Sequence, residues 1–385
     1  MPRLAQRLDD IEPFRVMAIL ARARALEAEG RDIIHLEVGE PDFATPEPIV
    51  QAGIAALQAG HTHYTPALGL SALRQAIARY YDERYGVELA ADRIAVTPGA
   101  SGGLLLAMTA LFNPGDEVLL ADPGYPCNRH FARVVEAEAK SIAVGPDTGY
   151  QLTAELVTKN WGPRTRGVLL ANPGNPTGSV IDADSLRAIH AVVREKGGWL
   201  LVDEIYHELI YDRAEPTAAG LGDDVIVINS FSKYFLMTGW RLGWLVLPEA
   251  LVPAVDKLAQ NLFLAAPTLA QHAALAALKP TTRALLEAHK AELKARRDYL
   301  LPELQRLGFE VLAKPAGAFY LYADCSRFTD DSEAFAEHLL QEPGVAITPG
   351  TDFGAVEGRS HVRFAYAVEL GRLKEAVQRL ERCLS

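Results

Sequence analysis

The sequence predicts an α/β protein with a three-layer large domain, built on a mostly parallel sheet, and a smaller α+β domain. Short β-rich runs alternate with helical stretches, for example "EVLLAD" followed by a helical pattern over residues 126–139, and then "GVLLAN" and "WLLVDE". This alternation is typical of a parallel sheet covered by helices on both faces. In such sheets, ligands bind at the carboxyl ends of the strands.

The pattern changes near residues 279–280. A long charged helix is predicted over roughly residues 282–307, followed by the strand-like runs "FEVLA", "AFYLYAD", "GVAIT" and "HVRFAYA". We therefore expect a large domain over residues 45–280, and a small domain composed of residues 1–44 and 281–385. In this division the N-terminal segment folds back onto the C-terminal part. A chain of 385 residues is long enough for two cores.

The composition argues against several classes of protein. With 49% apolar and 23% charged residues, it is that of an ordinary soluble globular protein, and no apolar run is long enough to cross a bilayer. The N-terminus carries charges where a signal peptide needs apolar residues, which predicts a cytoplasmic protein. A net charge of −11 argues against a nucleic-acid surface. Cys127, Cys325 and Cys383 lack the spacing of disulfides or zinc sites.

Four β-rich runs are followed directly by turn-forming or polar residues. These are "PGYP" at residues 123–126, "NPTG" at 175–178, "DEIY" at 203–206 and "SFSK" at 230–233. Because the carboxyl ends of parallel strands meet at one edge, we expect the four segments to lie close together. Lys233 at the end of the last segment is flanked by aromatic residues. Burial would lower its pKa and make it a nucleophile or base.

With these motifs in this order, the chain resembles class I/II aminotransferases of the aspartate aminotransferase superfamily, which have fold type I and depend on pyridoxal 5′-phosphate (PLP). The resemblance runs from "LEVGEPDFATP" through "HYTPALGLSALR" to "HVRFAYA", and its most specific part is "SFSKYFLMTGWRLG". It implies ping-pong transfer of an amino group between an α-amino acid and a 2-oxo acid. Lys233 matches the lysine that forms the Schiff base with PLP and carries the proton.

The resemblance also assigns the residues that hold PLP. The ring nitrogen must stay protonated to accept electrons, and Asp203 matches the aspartate that holds this proton. Asn175 and Tyr206 match the donors to the 3′-oxygen of the ring, and we place Tyr206 with Lys233 and Asp203 among the catalytic residues. A phosphate needs N–H groups at a helix start and a fixed cation. The remaining matches are Gly99, Ala100, Ser101, Ser230, Ser232 and Arg241 for the phosphate, and Tyr125 for stacking on the ring.

The substrate's α-carboxylate requires a planar cation, and Arg363 in "HVRFAYA" matches the arginine that binds it. Gly39 is expected to offer its N–H to the same carboxylate, beside Asn175. Tyr64 matches a tyrosine that reaches the phosphate in the neighbouring subunit, which implies a homodimer. His61 and His63 form a His-x-His pair with no third ligand in view, so we expect no metal.

Several alternatives stay open at this point. A PLP-dependent carbon–sulfur β-lyase or a cyclopropane-forming synthase would share the cofactor residues, although Thr177 favours transamination. The sequence "DEIY" argues against acyl-transferring oxoamine synthases. From other classes, the chain could be the aminotransferase-like part of a transcription regulator or an inactive structural protein. The acidic charge and the short segment before "LEVGEPDF" oppose the regulator.

The side-chain specificity is the least determined feature. Ser101 stands where some prokaryotic aspartate aminotransferases carry a lysine, which puts aspartate in doubt as a substrate. Phe14, Tyr125 and Tyr320 are compatible with recognition of a neutral or aromatic side chain, and equally with simple packing. We therefore predict a neutral or aromatic amino acid as the amino donor.

Overall fold

The computed structural model describes residues 3–313 and 315–384. Its helices α1 to α12 span Arg15–Ala28, Glu47–Gln58, Ser71–Tyr85, Gly99–Leu111, Cys127–Val134, Ala154–Asn160, Ala183–Glu195, Val252–Leu262, Thr268–Ala277, Pro280–Leu307, Ser332–Gln341 and Leu370–Leu384. Its strands β1 to β12 span Ile34–His35, Ile94–Thr97, Glu117–Asp122, Glu138–Ala143, Thr165–Ala171, Trp199–Asp203, Val225–Ser230, Gly243–Val246, Tyr320–Asp324, Val345–Ala346, Thr348–Pro349 and His361–Ala365.

The central feature is a seven-stranded sheet with the strand order β2-β8-β7-β6-β5-β3-β4. The pairs from β7 to β4 are all parallel, whereas β8 pairs antiparallel with both β7 and β2. The carboxyl ends of β3, β5, β6 and β7 therefore lie at one edge. This topology confirms the predicted α/β class and the mostly parallel sheet.

Hydrophobic side chains cover both faces of this sheet. Along β6, Leu200 and Val202 are buried on one face and Leu201 on the other, because side chains alternate across a strand. The Leu201 face packs against α4 and α8, and the opposite face packs against α3 and α7. The sheet is the middle layer of three.

The C-terminal part of the chain has its own sheet, in the antiparallel order β11-β12-β9. The long helix α10 begins at Pro280, where proline's fixed φ suits the first turn, and ends before Gly308, which is left-handed with φ 104°. β1 from the N-terminal segment pairs in parallel with β10. In the described part of the chain, no helix combines the length and apolarity that a membrane span requires.

Two local predictions are wrong. The helix expected over residues 126–139 ends at Val134, and residues 138–143 instead form the edge strand β4 beside β3. The helix cannot continue because Glu136 takes a left-handed backbone with φ 64°. The run "FEVLA" forms no strand either, since only Glu310 makes a single bridge to Asp324.

Candidate active site

A cavity of about 640 Å³ lies where β5, β6 and β7 end. The parallel pairing brings the last residues of these strands, Ala171, Asp203 and Ser230, to the same edge of the sheet. The first turn of α4, the start of α1, β9 and β12 complete the walls. Of the predicted site residues, the lining includes Gly39, Ala100, Ser101, Tyr125, Asn175, Asp203, Tyr206, Ser230, Ser232, Lys233, Arg241 and Arg363.

Lys233 follows β7 at the wall of the cavity, beside the buried side chains of Phe231 and Tyr234. Its Nζ donates a hydrogen bond of 2.6 Å to the carbonyl oxygen of Gly39. Burial lowers the pKa of Lys233 to about 8, and the nearby carboxylate of Glu40 opposes this shift. An amine with this pKa is neutral in a useful fraction of molecules near pH 8, so it can act as a nucleophile or a base.

Asp203 is the last residue of β6, and only 4% of its surface is exposed. Its Oδ1 accepts a hydrogen bond of 3.1 Å from the backbone N–H of Ile205. Burial raises the pKa of Asp203 to about 7, because the desolvated carboxylate is disfavoured. A cationic group brought against this carboxylate would favour its charged form. Asp203 is thus suited to hold a protonated ring nitrogen.

Tyr206 lies three residues beyond Asp203, and its hydroxyl is 2.8 Å from the hydroxyl of Tyr320. Both rings are buried, and burial raises the pKa of Tyr206 well above its ordinary value, so it remains a neutral donor. From the sequence, Tyr320 was compatible both with substrate recognition and with simple packing. The structure brings it into the cavity wall, where its ring also packs against Arg363.

The first turn of α4 provides unpaired backbone N–H groups at one end of the cavity. The helix begins at Gly99, with Ala100 and Ser101 directly after it. A Cβ atom on Gly99 would lie 2.7 Å from Nη2 of Arg241, so only glycine lets the guanidinium approach this closely. A cation next to a helix N-terminus is suited to bind a phosphate.

The segment after β7 completes this end of the cavity. The Oγ of Ser230 accepts a hydrogen bond of 3.0 Å from the backbone N–H of Ser232 and donates one of 3.3 Å to the carbonyl oxygen of Leu242. Arg241 has a left-handed backbone with φ 55°, and its Nη1 donates to the carbonyl oxygen of Thr238 at 3.0 Å. The two serines and the arginine therefore lie on one folded loop.

Arg363 on β12 is almost fully buried, with 1% of its surface exposed. Its Nη1 donates a hydrogen bond of 2.9 Å to Oδ1 of Asn175, and its Nη2 donates one of 2.5 Å to the carbonyl oxygen of Glu37. The guanidinium carbon lies 4.3 Å from the ring centre of Tyr320 and 4.7 Å from that of Phe353. These contacts hold a planar cation at the cavity wall.

The segment "GEPDF", which begins at Gly39, is fastened at two points. The carboxylate of Glu40 accepts a hydrogen bond from the hydroxyl of Thr238. Asp42 accepts one of 2.7 Å from the buried side chain of Arg296 on α10. These two contacts fasten the segment on both sides, and the glycine carbonyl is thereby placed at Lys233.

The structure also adds cavity residues that no local pattern indicated. Val16 and Met17 in the first turn of α1, and Val38 before Gly39, line the cavity together with Phe14. Phe14 packs edge-on against Tyr125, with ring centres 6.0 Å apart. These side chains form an apolar wall. Apolar side chains at the start of a helix or before a turn are also typical of ordinary core packing, so Val16, Met17 and Val38 could not be recognised from local sequence.

Besides Gly99, other singled-out positions lie outside this lining. Tyr64 is 81% exposed in the isolated protomer. The hydroxyl of Thr177 is buried 2.8 Å from that of Ser179, where it stabilises the turn after Asn175. His61 stacks on His272 at 4.2 Å. Within residues 3–313 and 315–384, no group of three or more His, Cys, Asp or Glu side chains is placed to bind a metal.

These residues fit PLP. The buried carboxylate of Asp203 accepts a hydrogen bond from a backbone N–H and suits the protonated ring nitrogen. The start of α4, where Gly99 leaves room for the guanidinium of Arg241, suits the phosphate. Nε of Arg363 has no hydrogen-bond partner within the described residues, which leaves a donor in the cavity wall. Lys233 lines the same cavity.

Comparison with known proteins identifies the family. Residues 31–380 match the family model for class I and II aminotransferases. The chain is 41% identical to the valine–pyruvate aminotransferase of Mycobacterium tuberculosis over 96% of both proteins. It is 37% identical to the (5-formylfuran-3-yl)methyl phosphate transaminase of Methanocaldococcus jannaschii, over 99% of this chain and all of the relative.

Solved structures agree with this result. An aminotransferase from Mycobacterium tuberculosis superimposes with a TM-score of 0.97 at 41% identity, covering 100% of this chain and 99% of the other. The aspartate aminotransferase of Thermus thermophilus with maleate gives a TM-score of 0.94 at 33% identity, covering 99% and 100% of the two chains. The chain therefore belongs to the class I and II aminotransferases, fold type I enzymes that use pyridoxal 5′-phosphate.

Proposed function

We propose that this aminotransferase transfers the amino group of an α-amino acid with a neutral, predominantly apolar side chain to a 2-oxo acid such as pyruvate. The observation that carries the substrate class is the cavity wall. Among the described lining residues, Lys233, Arg241 and Arg363 are the cations, and each already has a task. The side chains of Phe14, Val16, Met17 and Val38 are apolar.

We assign the catalytic tasks as follows. PLP supplies the electron sink that stabilises negative charge at the substrate's Cα. Lys233 would hold the cofactor covalently, and its amine would accept the proton from the substrate's Cα. Asp203 would keep the ring nitrogen protonated, and Tyr206 and Asn175 would donate to the 3′-oxygen.

The remaining residues bind and orient. Arg363 and the backbone N–H of Gly39 hold the α-carboxylate, which fixes the bond that must break relative to the cofactor ring. Tyr125 packs on the ring face. The phosphate is held by Gly99, Ala100, Ser101, Ser230, Ser232 and Arg241.

A carboxylate on the substrate's side chain would bind unfavourably in this cavity. It would meet the apolar wall without a cation free to pair with it, and burying an unpaired charge is unfavourable. The relative named valine–pyruvate aminotransferase is consistent with an apolar donor. Other relatives, such as that of Pyrococcus horikoshii, are named aspartate aminotransferases, so the donor must be measured.

The test is a matrix of amino donors and 2-oxo acid acceptors. Valine, leucine, alanine, phenylalanine, aspartate and glutamate are each paired with pyruvate and with 2-oxoglutarate, and kcat/KM is measured for every pair. We expect the apolar donors to exceed the acidic ones by at least about tenfold, the cost of roughly one unpaired charge at a partly hydrated site. Aspartate or glutamate as the best donor would contradict the proposal.

We also propose a homodimer in which Tyr64 reaches the phosphate of the neighbouring active site. Tyr64 is exposed in the protomer, and further exposed apolar side chains lie on elements near its loop, in which His63 accepts a hydrogen bond from Thr268 on α9. They come from α2, from the last residue of α8 and from the connection between α8 and α9, and α2 packs against α9. This set comprises Ile54, Leu57, Leu262 and Leu264. An exposed apolar surface of this kind is typical of a subunit interface.

Two further proposals concern organisation and location. We divide the chain into a large domain of residues 45–280 and a small domain of residues 1–44 and 281–385. The pairing of β1 with β10 and the separate sheets support this division. We place the enzyme in the cytoplasm, where its free thiols at Cys127, Cys325 and Cys383 would stay reduced.

A further inference from the structure

Tyr320 is the first residue of β9, and its side chain is fully buried in the wall of the cavity. Its hydroxyl lies 2.8 Å from the hydroxyl of Tyr206, and its ring centre lies 4.3 Å from the guanidinium carbon of Arg363. One side chain therefore contacts both the tyrosine assigned to the cofactor's 3′-oxygen and the arginine assigned to the substrate's α-carboxylate.

The hydrogen bond between the two hydroxyls has a defined direction if Tyr206 acts on the cofactor. A phenol has one O–H to donate, and its oxygen can also accept. When Tyr206 donates its only proton to the 3′-oxygen, its own oxygen must accept the bond from Tyr320. Burial raises the pKa of both phenols above the ordinary value, so both keep their protons. Hydrogen bonds in series polarise one another, so donation by Tyr320 strengthens donation by Tyr206.

Close packing fixes the position of the Tyr320 hydroxyl. A Cβ atom on Gly39 would lie 2.5 Å from this oxygen, so any larger residue at position 39 would collide with it. The ring of Tyr206 packs edge-on against that of Tyr320, with ring centres 5.6 Å apart. Phe319 packs against both tyrosines, at 5.5 Å from Tyr206 and 4.7 Å from Tyr320. These contacts hold the two phenols in place.

The ring of Tyr320 makes a separate contact, with Arg363. The guanidinium lies within cation–π distance of this ring and of the ring of Phe353. The two rings restrict the plane in which the guanidinium can lie. Because a guanidinium binds a carboxylate through two donors in that plane, its orientation decides how well the carboxylate is held.

We propose that Tyr320 is a positioning residue with two separable tasks. Its hydroxyl donates to Tyr206 and thereby directs the Tyr206 proton at the cofactor's 3′-oxygen. Its ring supports the guanidinium of Arg363 in the orientation that binds the α-carboxylate. The inference rests on the proposed tasks of Tyr206 and Arg363. Removing the hydroxyl and removing the ring should therefore have different consequences.

Tyr320→Phe removes the hydroxyl and keeps the ring. The readout is the midpoint of the pH titration of the bound cofactor's absorbance, measured without substrate. Weaker donation leaves the 3′-oxygen more basic, so the proton that it shares with the nitrogen of Lys233 is released at higher pH. The midpoint should rise by about 0.3 to 1 pH unit, the share of one hydrogen bond that an indirect donor contributes.

A double-variant cycle tests whether the hydroxyl acts through Tyr206. In the Tyr206→Phe background, the hydroxyl of Tyr320 has no phenol to polarise. Adding Tyr320→Phe to that background should therefore move the midpoint by less than about 0.2 pH unit, since two groups that act through one contact are not additive.

Tyr320→Leu removes the ring as well as the hydroxyl. The probe is isovalerate, a monocarboxylate with an apolar side chain and no amine, which binds without reacting. Its Kd is read from the change in cofactor absorbance, and circular dichroism checks the fold of each variant. We expect a Kd within about twofold of wild type in Tyr320→Phe. In Tyr320→Leu it should rise about threefold to tenfold, as for the loss of one partly buried cation–π contact.

Tyr322→Phe is the matched control on the same strand. Tyr322 is buried, and its ring stacks on His361 with ring centres 4.7 Å apart. Its hydroxyl has no hydrogen-bond partner among the residues that the structure describes, and it lies outside the described lining of the cavity. This variant also removes a buried hydroxyl from β9, so it should leave both the midpoint and the Kd for isovalerate unchanged.

The outcomes separate the two tasks from each other and from the proposed function. A wild-type midpoint in Tyr320→Phe, or an equal shift with and without the Tyr206 hydroxyl, would overturn the task of the hydroxyl. An unchanged Kd in Tyr320→Leu would overturn the task of the ring. If Tyr206→Phe alone failed to raise the midpoint, the proposed task of Tyr206 would be wrong, and the hydroxyl's task with it. The substrate class is decided separately, by the wild-type donor matrix.

Discussion

Arg363 and Asn175 are joined by a hydrogen bond of 2.9 Å between Nη1 and Oδ1, across 188 positions of sequence. Arg363 lies on β12, in the proposed small domain, and Asn175 follows β5, in the proposed large domain. The bond thus ties the two proposed domains at the cavity. It also orients the guanidinium before a substrate arrives, which reduces the ordering cost of binding a carboxylate.

Replacing Arg363 by lysine should weaken the binding of every substrate that carries an α-carboxylate. A lysine offers one point charge instead of a planar fork. Transition-state binding should therefore weaken by about 2–4 kcal/mol, which lowers kcat/KM for amino acids and 2-oxo acids alike. Bound cofactor and its absorbance should be retained. Single-turnover rates are measured with an amino acid and with its decarboxylated amine.

The amine is the internal control, because it lacks the group that Arg363 is proposed to bind and should react equally slowly with both proteins. Arg359→Lys is a matched variant of an exposed arginine on the same segment and should behave as wild type. If Arg363→Lys slowed the amine as much as the amino acid, the arginine would be structural and the carboxylate would be bound elsewhere.

Lys233→Ala should abolish turnover while the fold and noncovalent cofactor binding persist. The substitution removes the covalent attachment and the proton carrier together, so a loss of several orders of magnitude is expected. Absorbance spectroscopy reports the lost covalent attachment, and circular dichroism reports the fold. Lys257→Ala on α8 serves as the control lysine. Turnover at the wild-type rate in Lys233→Ala would show that the lysine is misassigned.

Asp203→Asn should retain PLP but slow the removal of the Cα proton by orders of magnitude. Asparagine is similar in size to aspartate but cannot hold the ring nitrogen in its protonated form, so the electron sink is weakened. Stopped-flow single turnover with a deuterated and a protiated amino acid measures this step directly. A near-normal rate with an unchanged isotope effect would remove Asp203 from this role.

The stability of the cofactor-free protein should depend on pH through the same residue. Asp203 has its pKa raised to about 7, so between about pH 4 and pH 7 the folded state holds a proton that the unfolded state has released. This contribution to the free energy of unfolding is fully present below pH 4 and is lost as the pH rises through 7, with a slope of at most about 1.4 kcal/mol per pH unit. Denaturant titrations at a series of pH values should show that the free energy of unfolding declines less steeply with pH in Asp203→Asn than in wild type. Identical slopes for the two proteins would contradict the assigned pKa.

Tyr64 should act across the subunit interface, which mixed dimers can test. Tyr64→Ala should weaken PLP binding at both sites of its own dimer. In a hybrid of one Lys233→Ala protomer and one Tyr64→Ala protomer, one site combines an intact Lys233 with the intact Tyr64 of the other protomer. That site should recover wild-type PLP affinity and about half the activity per dimer, the share of one site in two. A hybrid that binds PLP as weakly as Tyr64→Ala would place the tyrosine within its own site or outside any site.

The sequence alone determined the sheet edge and its reactive groups. Asp203, Asn175 and Lys233 each follow an apolar β-rich run, and parallel strands place their carboxyl ends together whatever the loops between them do. The positions of these residues could therefore be predicted from local patterns, and the resemblance then indicated their tasks. The alternation of β-rich and helical runs likewise predicted a sheet covered by helices on both faces.

Only the tertiary structure decided which distant side chains meet at this edge. The contact of Tyr206 with Tyr320 and the placement of Val16 in the cavity wall join residues more than 100 positions apart, and no local pattern encodes such a meeting. The ion pair of Asp10 with Arg133 belongs to the same class, since charged residues on a solvated segment look alike whether or not they are paired. Local sequence specifies which face of an element is buried, whereas the path of the chain through space specifies what it is buried against.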